Sequence, residues 1–475
     1  MRLSFRVLSM AATVVMLVQV CGSAPVITKA PEVDIIVTSA PVYDPLAALR
    51  GGERFPEGAQ LLLVQHGNAR PLVKGFAATA DANTSFDGKR VIFAGRRTAG
   101  DPWQIWELQL ADGSVRRIIA GTANAIRPHY LPAGQLVYAT ITAEGYQLVV
   151  AGKASPSLAA PVASEAEDTL LAISHLNGSA IPVDVLLDGR ILFEADFPLG
   201  SGSTTELYLV YSDGSGVESY RCDHGRARWG GRQLVSGDVV FTHGDSLARF
   251  TSPMAHEVPI AAPRAEYAGG IVETAQGDWL VSSRSSSAAH YTLKLMHPSA
   301  PNSAALAPQT VLAVTGQNLV DPVLIAPRQR PNHHPTALHP WSYANLLALD
   351  SRLSREGDLH TAPASVRLET IDSRGHVVAN GTAPVEADGS FFVQAPGDRP
   401  IRFALLNAEG AVVSQEHGWF WIRSGEQRIC TGCHTGPERS SENRVPAVLM
   451  RTTDPVDLTG VKAISQSQTK TLGGK

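Results

Sequence analysis

The chain has 475 residues, of which 44% are hydrophobic and 18% are charged, and its formal net charge is −4. This composition is that of a globular protein that buries an extended core, and it excludes a disordered chain. No basic run of five or more residues occurs, so a nucleic-acid partner is not expected.

The first 24 residues have the pattern of an export signal. Arg2 and Arg6 precede a mostly apolar stretch at 7–20, which small residues at 21–24 follow. The stretch is too short for a stable membrane span, so we expect a cleaved signal peptide (1–24), a periplasmic mature protein and no transmembrane span. An uncleaved anchor and a lipid anchor on Cys21 are the alternatives.

A turn followed by an apolar strand recurs through the first two thirds of the chain. The first copy is Ser-Phe-Asp-Gly-Lys-Arg at 85–90, before the apolar run at 91–94. The phrase occurs five times in all, at intervals of 40 to 55 residues, each with a glycine in the turn: Gly88, Gly134, Gly189, Gly237 and Gly277. A period of this length with several strands per unit predicts a β-propeller, because one four-stranded sheet cannot cover both of its faces.

The number of blades depends on how the ring closes. A sixth blade is expected to use residues 310–315 and 322–325, with residues 60–76 closing the ring. We therefore predict six or seven blades over residues 25–329, with a β-sandwich as the alternative. The Asp-Gly-Lys/Arg phrase before an apolar strand resembles the repeat of TolB-type periplasmic propellers.

A second β region follows a linker rich in proline and histidine at 330–335. Strands are expected at 365–371, 390–393 and 400–406, with Gly375 and Gly389 in turns between them and Gly410 in a turn after the last. This spacing predicts a β-sandwich-like middle domain at 330–425. We expect a short helical segment at 426–451 and a disordered tail at 452–475, so the whole protein is predicted to be all-β with little helix.

The residues Cys430-Thr431-Gly432-Cys433-His434 form a Cys-x-x-Cys-His motif. Such a motif attaches haem c, because its two thiols reach the two vinyl groups of one porphyrin and the adjacent histidine ligates the iron. We therefore predict one covalent haem c on Cys430 and Cys433, with iron bound by His434. A zinc site that includes His417 and His434 and a redox dithiol are the alternatives, but no second cysteine pair supports zinc.

The segments around this motif resemble the hydrazine synthase alpha subunit family. The matching segments are Asp388–Phe391, Pro396–Pro400, Trp419–Arg423 and Gly425–Arg428, followed by the Cys-x-x-Cys-His motif. The resemblance implies a propeller joined to a β domain and a haem-bearing tail, a periplasmic location, and Cys430, Cys433 and His434 as haem ligands. It also implies a second haem on a cysteine pair in the propeller region. The propeller region of this chain holds only Cys222, so hydrazine formation is not expected.

Several residues are candidates for a role beside the haem. The second axial ligand of the iron is left open between Met450, His417, His333, His334 and His339. Cys222-Asp223-His224 is a candidate metal or anion site, although a buried cysteine beside a surface histidine is the simpler interpretation. No arrangement typical of a catalytic triad, a phosphate loop or paired carboxylates occurs, so no catalytic residue is assigned.

These observations lead to a functional expectation with an alternative. We expect a periplasmic electron-transfer protein with one haem, in which the propeller docks an unidentified redox partner. The alternative is a haem-dependent oxidoreductase that acts on a small, nitrogen-containing molecule and is related to hydrazine synthase without being one. A binding module with a structural haem is the third class.

Overall fold

The structure is a computed structural model of an all-β protein, as predicted. The residues it describes are 26–27, 33–66, 68–153, 168–199, 202–221, 225–253, 255–298, 307–353, 359–372, 374–416, 418–432 and 441–460. The predicted signal peptide, Cys222, His417, Cys433 and His434 lie outside these residues. In the described part of the chain, no helix is long and apolar enough to cross a membrane.

The first strands of the chain belong to blades that the end of the propeller completes. They are β1 (Val26–Ile27), β2 (Ile35–Ala40), β3 (Gln60–Gln65) and β4 (Asn68–Pro71). A 3-10 turn at Ala47–Arg50 lies between β2 and β3.

Four blades then follow one another along the chain. Blade 1 is β5 (Ala78–Thr84), β6 (Arg90–Arg96), β7 (Gln104–Gln109) and β8 (Val115–Ile119). Blade 2 is β9 (Ala125–Tyr130), β10 (Leu136–Thr142), β11 (Gly145–Lys153) and β12 (Asp168–Ala172). Blade 3 is β13 (Ala180–Val185), β14 (Ile191–Leu199), β15 (Gly202–Val210) and β16 (Glu218–Ser219). Blade 4 is β17 (Arg228–Gln233), β18 (Val239–His243), β19 (Ser246–Phe250) and β20 (Val258–Pro259).

Two further blades close the ring with strands from both ends of the propeller. Blade 5 is β21 (Glu266–Tyr267), β22 (Val272–Glu273), β23 (Trp279–Arg284), β24 (Thr292–Met296) and β25 (Gln309–Ala313), with β1 at its outer edge. Blade 6 has β26 (Asn318–Leu324) as its inner strand, beside β2, β3 and β4. The described strands therefore form six blades. Residues 310–313 lie in blade 5 rather than in the sixth blade, whereas 322–324, 60–65 and 68–71 form part of blade 6 as predicted.

The repeated glycines connect the inner strand of a blade to its second strand. The amide of Gly88 donates to the carbonyl of Ser85 at 2.9 Å, and the same turn recurs at the other four copies. All five glycines have a positive φ, between 70° and 93°. The apolar run after each turn is buried, as in Val91, Ile92 and Phe93 of β6, so the predicted repeat unit is confirmed.

The middle domain is a sandwich of two four-stranded sheets. Its strands are β27 (Tyr343–Ala348), β28 (Ser365–Ile371), β29 (Val377–Pro384), β30 (Phe391–Pro396), β31 (Ile401–Leu406), β32 (Val412–Gln415), β33 (Gln427–Cys430) and β34 (Val456–Asp457), with the helix α1 (Ala447–Arg451) before β34. One sheet has the order β33-β27-β30-β34 and the other β29-β28-β31-β32. Leu346, Leu368, Val393 and Ile401 are among the buried residues between them.

The sandwich extends beyond the boundary predicted at 425. The first residues of the predicted helical segment 426–451 form strand β33, and helix begins only at Ala447. The predicted tail from 452 also contributes, because β34 pairs with β30 and Leu458 is buried in the core of the sandwich. Sequence patterns missed both strands because each is short and pairs with residues far away in the chain.

The connection between propeller and sandwich is bound to the propeller surface. The amide of Arg328 donates to the carbonyl of Phe86 in blade 1 at 3.0 Å. The amide of Asn332 donates to the carbonyl of Leu187 in blade 3 at 2.8 Å. Trp421 of the sandwich is fully buried among residues of blades 2 and 3. The sandwich is thereby fixed to one side of the propeller.

Candidate haem c attachment site

Cys430 ends β33, the edge strand of one sandwich sheet. β33 runs parallel to β27, with Gln427 opposite Asn345 and Cys430 opposite Ala348. The amide of Leu349 donates to the carbonyl of Cys430 at 2.8 Å, which fixes the backbone of the first motif residue. The edge position leaves the other side of the strand open in the described part of the sheet.

The thiol of Cys430 lies in an apolar environment. The residue packs against the sandwich core, and burial raises the pKa of the thiol to about 11, with Arg428 opposing and Glu416 and Glu426 adding to the shift. A desolvated site of this kind favours an uncharged sulfur over a thiolate. An uncharged thioether to haem is compatible with this environment.

The described residues that flank Cys433 and His434 are held by the sandwich on both sides. Cys433 and His434 are outside the described residues, and the described chain resumes at Ser441. Ser441, Glu442 and Arg444 border a small gap of about 10 Å³ together with Leu349 and Asp388. The amide of Ala447 then donates to Asp388 at 2.7 Å. The described residues on the two sides of 433–440 therefore lie at the same end of the sheet, where β27 ends.

Exposed apolar side chains flank the motif on both sides. Ile429 precedes it with 65% of its surface exposed, and Val445 and Met450 follow with 64% and 78% exposed. Most large apolar side chains in the described residues are buried, so three exposed ones within this short stretch are unusual. An apolar surface at this place fits the face or edge of a porphyrin.

The candidates for the second axial ligand differ in their surroundings. The ring of His334 stacks on Tyr211 at 3.8 Å, and His339 stacks on Trp341 at 4.2 Å and contacts Gln427. His333 belongs to the connecting segment, and His417 lies outside the described residues. Met450 lies in α1, after the motif, with an exposed side chain.

For the candidate metal or anion site between blades 3 and 4, the structure describes only the flanking residues. Cys222-Asp223-His224 is outside the described residues. Before it, Arg221 donates to the carbonyl of Ala255 at 2.6 Å and contacts His256 at 2.9 Å. Within the described part of the chain, no group of three histidine, cysteine or acidic side chains is arranged to hold a metal ion.

Sequence patterns gave no signal for a cluster of buried charges in the propeller. Arg54 contacts Asp81 and lies 2.7 Å from Asp321, and Arg127 lies 3.5 Å from Asp321. Asp81, Arg127 and Asp321 have φ between 51° and 57°, beside register shifts in the inner strands β5, β9 and β26. A positive φ at residues other than glycine is rare, and single sequences give no indication of it.

Comparison with known proteins supports the fold and the middle domain. Residues 352–435 match the family described as the hydrazine synthase alpha subunit middle domain. The solved structure of Kuenenia stuttgartiensis hydrazine synthase is similar, with a TM-score of 0.72 and 17% identity over 89% of this chain and 72% of that chain. TolB from Acinetobacter baumannii gives a TM-score of 0.40 and 11% identity over 62% of this chain and 67% of that chain.

A search of curated proteins by sequence gave no match. The expected resemblance is nevertheless confirmed, since the middle-domain match and the shared fold agree. This chain thus resembles the hydrazine synthase alpha subunit, in sequence over its middle domain and in fold over most of its length.

Proposed function

We propose that this protein is an exported carrier of electrons with one covalent haem c. Cys430 and Cys433 would hold the haem through thioether bonds and His434 would be an axial ligand. When bound, the haem supplies an iron centre that accepts and releases one electron. The observation that carries the proposal is the position of Cys430, which packs partly buried against the sandwich core at the end of an edge strand.

The contribution of the chain's own residues is to hold the attachment site in a fixed place. β33 is paired with β27 on one side of the motif, and Asp388 accepts the amide of Ala447 on the other. Trp421 donates its indole N–H to the carbonyl of Gly214 in blade 3 at 3.1 Å. A redox partner that docks on the propeller would therefore meet the haem at a constant distance, which favours electron transfer.

The haem itself is tested by covalent staining. The protein should be produced with the cytochrome c maturation system, denatured, and stained for haem on a gel. Wild type is expected to stain and the double variant Cys430→Ala, Cys433→Ala is expected not to. Cys222→Ala is the matched control and should stain like wild type. Staining of the double variant would refute attachment at this motif.

The alternative is a haem-dependent oxidoreductase that acts on a small, nitrogen-containing molecule. One observation favours it: His334 and His339 already stack on other rings, so two of the histidines considered as second axial ligands are engaged elsewhere. A redox titration with absorption spectra decides between the two. A six-coordinate, low-spin haem supports the carrier, whereas a five-coordinate, high-spin haem that binds CO or nitrite supports the enzyme.

Export is a separate part of the proposal. The basic start and the apolar stretch at 7–20 predict that the leader is removed. Mass spectrometry of the mature protein from the periplasm should find an N-terminus near Pro25, or an acylated Cys21. Intact Met1 on soluble cytoplasmic protein would contradict both forms.

A further inference from the structure

A large cleft lies between blades 1 and 2 of the propeller, away from the motif at 430–434. Its volume is about 800 Å³, within the range of pockets that hold small organic molecules. Strand β8 of blade 1 forms one wall, and Leu136, Gly152 and Leu170 of blade 2 contribute the other. Arg328 and Arg330 of the segment that connects the propeller to the sandwich complete the lining.

The charge of this cleft is strongly positive. Five arginines line it, against two acidic residues: Arg90, Arg116, Arg117, Arg328 and Arg330, with Asp87 and Glu107. Both acids are already engaged. Glu107 accepts from Arg90 at 3.1 Å, from Arg116 at 2.6 Å and from the hydroxyl of Tyr130 at 2.9 Å. Asp87 accepts from the hydroxyl of Ser85 and the amide of Lys89, within its own turn.

Two of these guanidinium groups, those of Arg117 and Arg330, have no carboxylate partner among the described residues. Arg117 contacts the amide oxygen of Gln104 at 3.2 Å. Arg328 is engaged instead: it lies over the ring of Phe86, donates to the carbonyl of Thr84 at 3.2 Å and interacts electrostatically with Asp184. Arg330 is exposed and forms no ion pair within the described part of the chain. Arg117 and Arg330 therefore remain available for an anionic ligand, for which guanidinium is a preferred partner.

The remaining lining of the cleft is apolar. Leu131 and Leu136 are buried, and Ile118 and Ile119 of β8 are partly covered. Leu170 of β12 has 67% of its surface exposed, although most leucines of the molecule are covered. A concave apolar surface beside uncompensated positive charge suits a molecule that has both an apolar body and an anionic head.

We infer that this cleft binds a small amphiphilic anion, with its carboxylate or similar head on Arg117 and Arg330 and its apolar body against Leu136 and Leu170. The ligand would touch both the propeller and the connecting segment that leads to the sandwich. The inference is independent of the haem, because none of the lining residues belongs to the haem motif or its flanks.

Binding of dodecanoate tests this inference on the full-length protein. Dodecanoate should displace the fluorescent sulfonate 1-anilinonaphthalene-8-sulfonate from wild-type protein, and added salt should weaken the displacement. Acetate has the charge without the apolar body, and octan-1-ol has an apolar body without the charge. Both are expected to compete at least roughly tenfold more weakly than dodecanoate.

Two double variants separate the cleft from general electrostatics. Arg117→Gln with Arg330→Gln should weaken dodecanoate binding by roughly tenfold or more. Arg264→Gln with Arg374→Gln removes the same charge from exposed positions elsewhere and should leave binding unchanged. Leu170→Gln tests the apolar half at an exposed site and should also weaken binding. Equal weakening in both double variants, or none in the cleft variants, would overturn the inference.

Discussion

At the scale of single residues, a cluster of buried charged side chains links the inner strands of three blades. Arg54 contacts Asp81 of blade 1 and Asp321 of blade 6, while Arg127 of blade 2 donates its amide to Asp81 at 3.1 Å. Burial alone would raise the pKa of Asp321, but Arg54 and Arg127 outweigh it and the pKa lies below its usual range. The arginines are therefore required to keep the Asp321 carboxylate ionised inside the protein.

Replacement of Arg54 should destabilise the propeller strongly. Arg54→Met leaves Asp81 and Asp321 buried with Arg127 alone, and we expect a loss of about 3–5 kcal/mol in the free energy of unfolding. Arg50→Met is the matched control, because Arg50 pairs with Asp44 at the surface and should cost at most about 1 kcal/mol. Urea unfolding measures both. Similar losses would show that the cluster adds no more than a surface pair.

His175 makes the contact between propeller and sandwich sensitive to acid. Its Nε2 lies 3.5 Å from Asp398, next to Trp421. Burial lowers the pKa of His175 to about 4, against the opposing effect of Asp398. The unfolded chain therefore binds a proton below about pH 6.5 that the folded chain takes up only near pH 4.

Stability should therefore fall as the pH drops from about 6.5 to 4. The difference in the pKa of His175 between the unfolded and folded chain limits its contribution to the free energy of unfolding to about 3 kcal/mol. His175→Gln removes the titrating group, so the free energy of unfolding of this variant should depend less on pH across that window. Urea unfolding of wild type and variant at a series of pH values gives the comparison. If both lose the same stability between pH 6.5 and 4, His175 is not a source of the acid sensitivity.

At the scale of elements, β33 is positioned by the turn that precedes it. Gly425 has a φ of 81°, donates its amide to the carbonyl of Tyr343 at 2.8 Å and accepts from the amide of His339 at 2.9 Å. A Cβ at this position would collide with the backbone of His339. The turn therefore sets the register of β33 against β27, and with it the position of Cys430.

Replacement of Gly425 by alanine should reduce the stability of the fold by more than backbone strain alone explains. Gly425→Ala adds the collision with His339 to a left-handed conformation that by itself costs about 1–3 kcal/mol. Gly410 has nearly the same φ as Gly425, and no atom lies near a methyl group added there. Gly410→Ala therefore measures the cost of the backbone strain alone. Thermal unfolding of both variants is the test, and an equal loss of stability would show that the turn relaxes around the methyl.

At the scale of the whole molecule, propeller and sandwich share a buried contact. Trp421 packs in the same cluster as Phe193 of blade 3 and Leu148 of blade 2. Glu426 accepts the amide of Gly216 in blade 3 at 3.2 Å and pairs with Arg428 of β33 at 2.9 Å. The strand that carries Cys430 is therefore tied directly to the propeller.

This contact predicts that the sandwich depends on the propeller for its stability. Trp421→Ala should cost about 3–5 kcal/mol, because it opens a cavity in a shared core. The ring of Trp419 lies beside Arg402 of the sandwich, so Trp419→Ala should cost less stability.

A fragment from residue 331 onward would expose Trp421, and we expect it to unfold at a lower temperature than the full chain. A fragment as stable as the full chain would mean that the two parts fold independently.

The sequence by itself determined the local features. Glycine in each turn and the apolar run after it specify a hairpin within a few residues, so the blades and most sandwich strands were predictable. The spacing of Cys430, Cys433 and His434 likewise predicts haem attachment within five residues, and that prediction awaits the staining experiment. Such patterns are readable because the interacting residues are neighbours in the chain.

Tertiary structure alone decided the features that join distant residues. The ring closes at six blades because β26 pairs with β2, from the opposite end of the propeller. Cys430 lies on an edge strand because β33 pairs with β27, about eighty residues earlier, and the cluster around Arg54 needs side chains from three blades. No local pattern encodes such contacts, because each residue's partner is set by how the blades and the sandwich pack rather than by its neighbours in sequence.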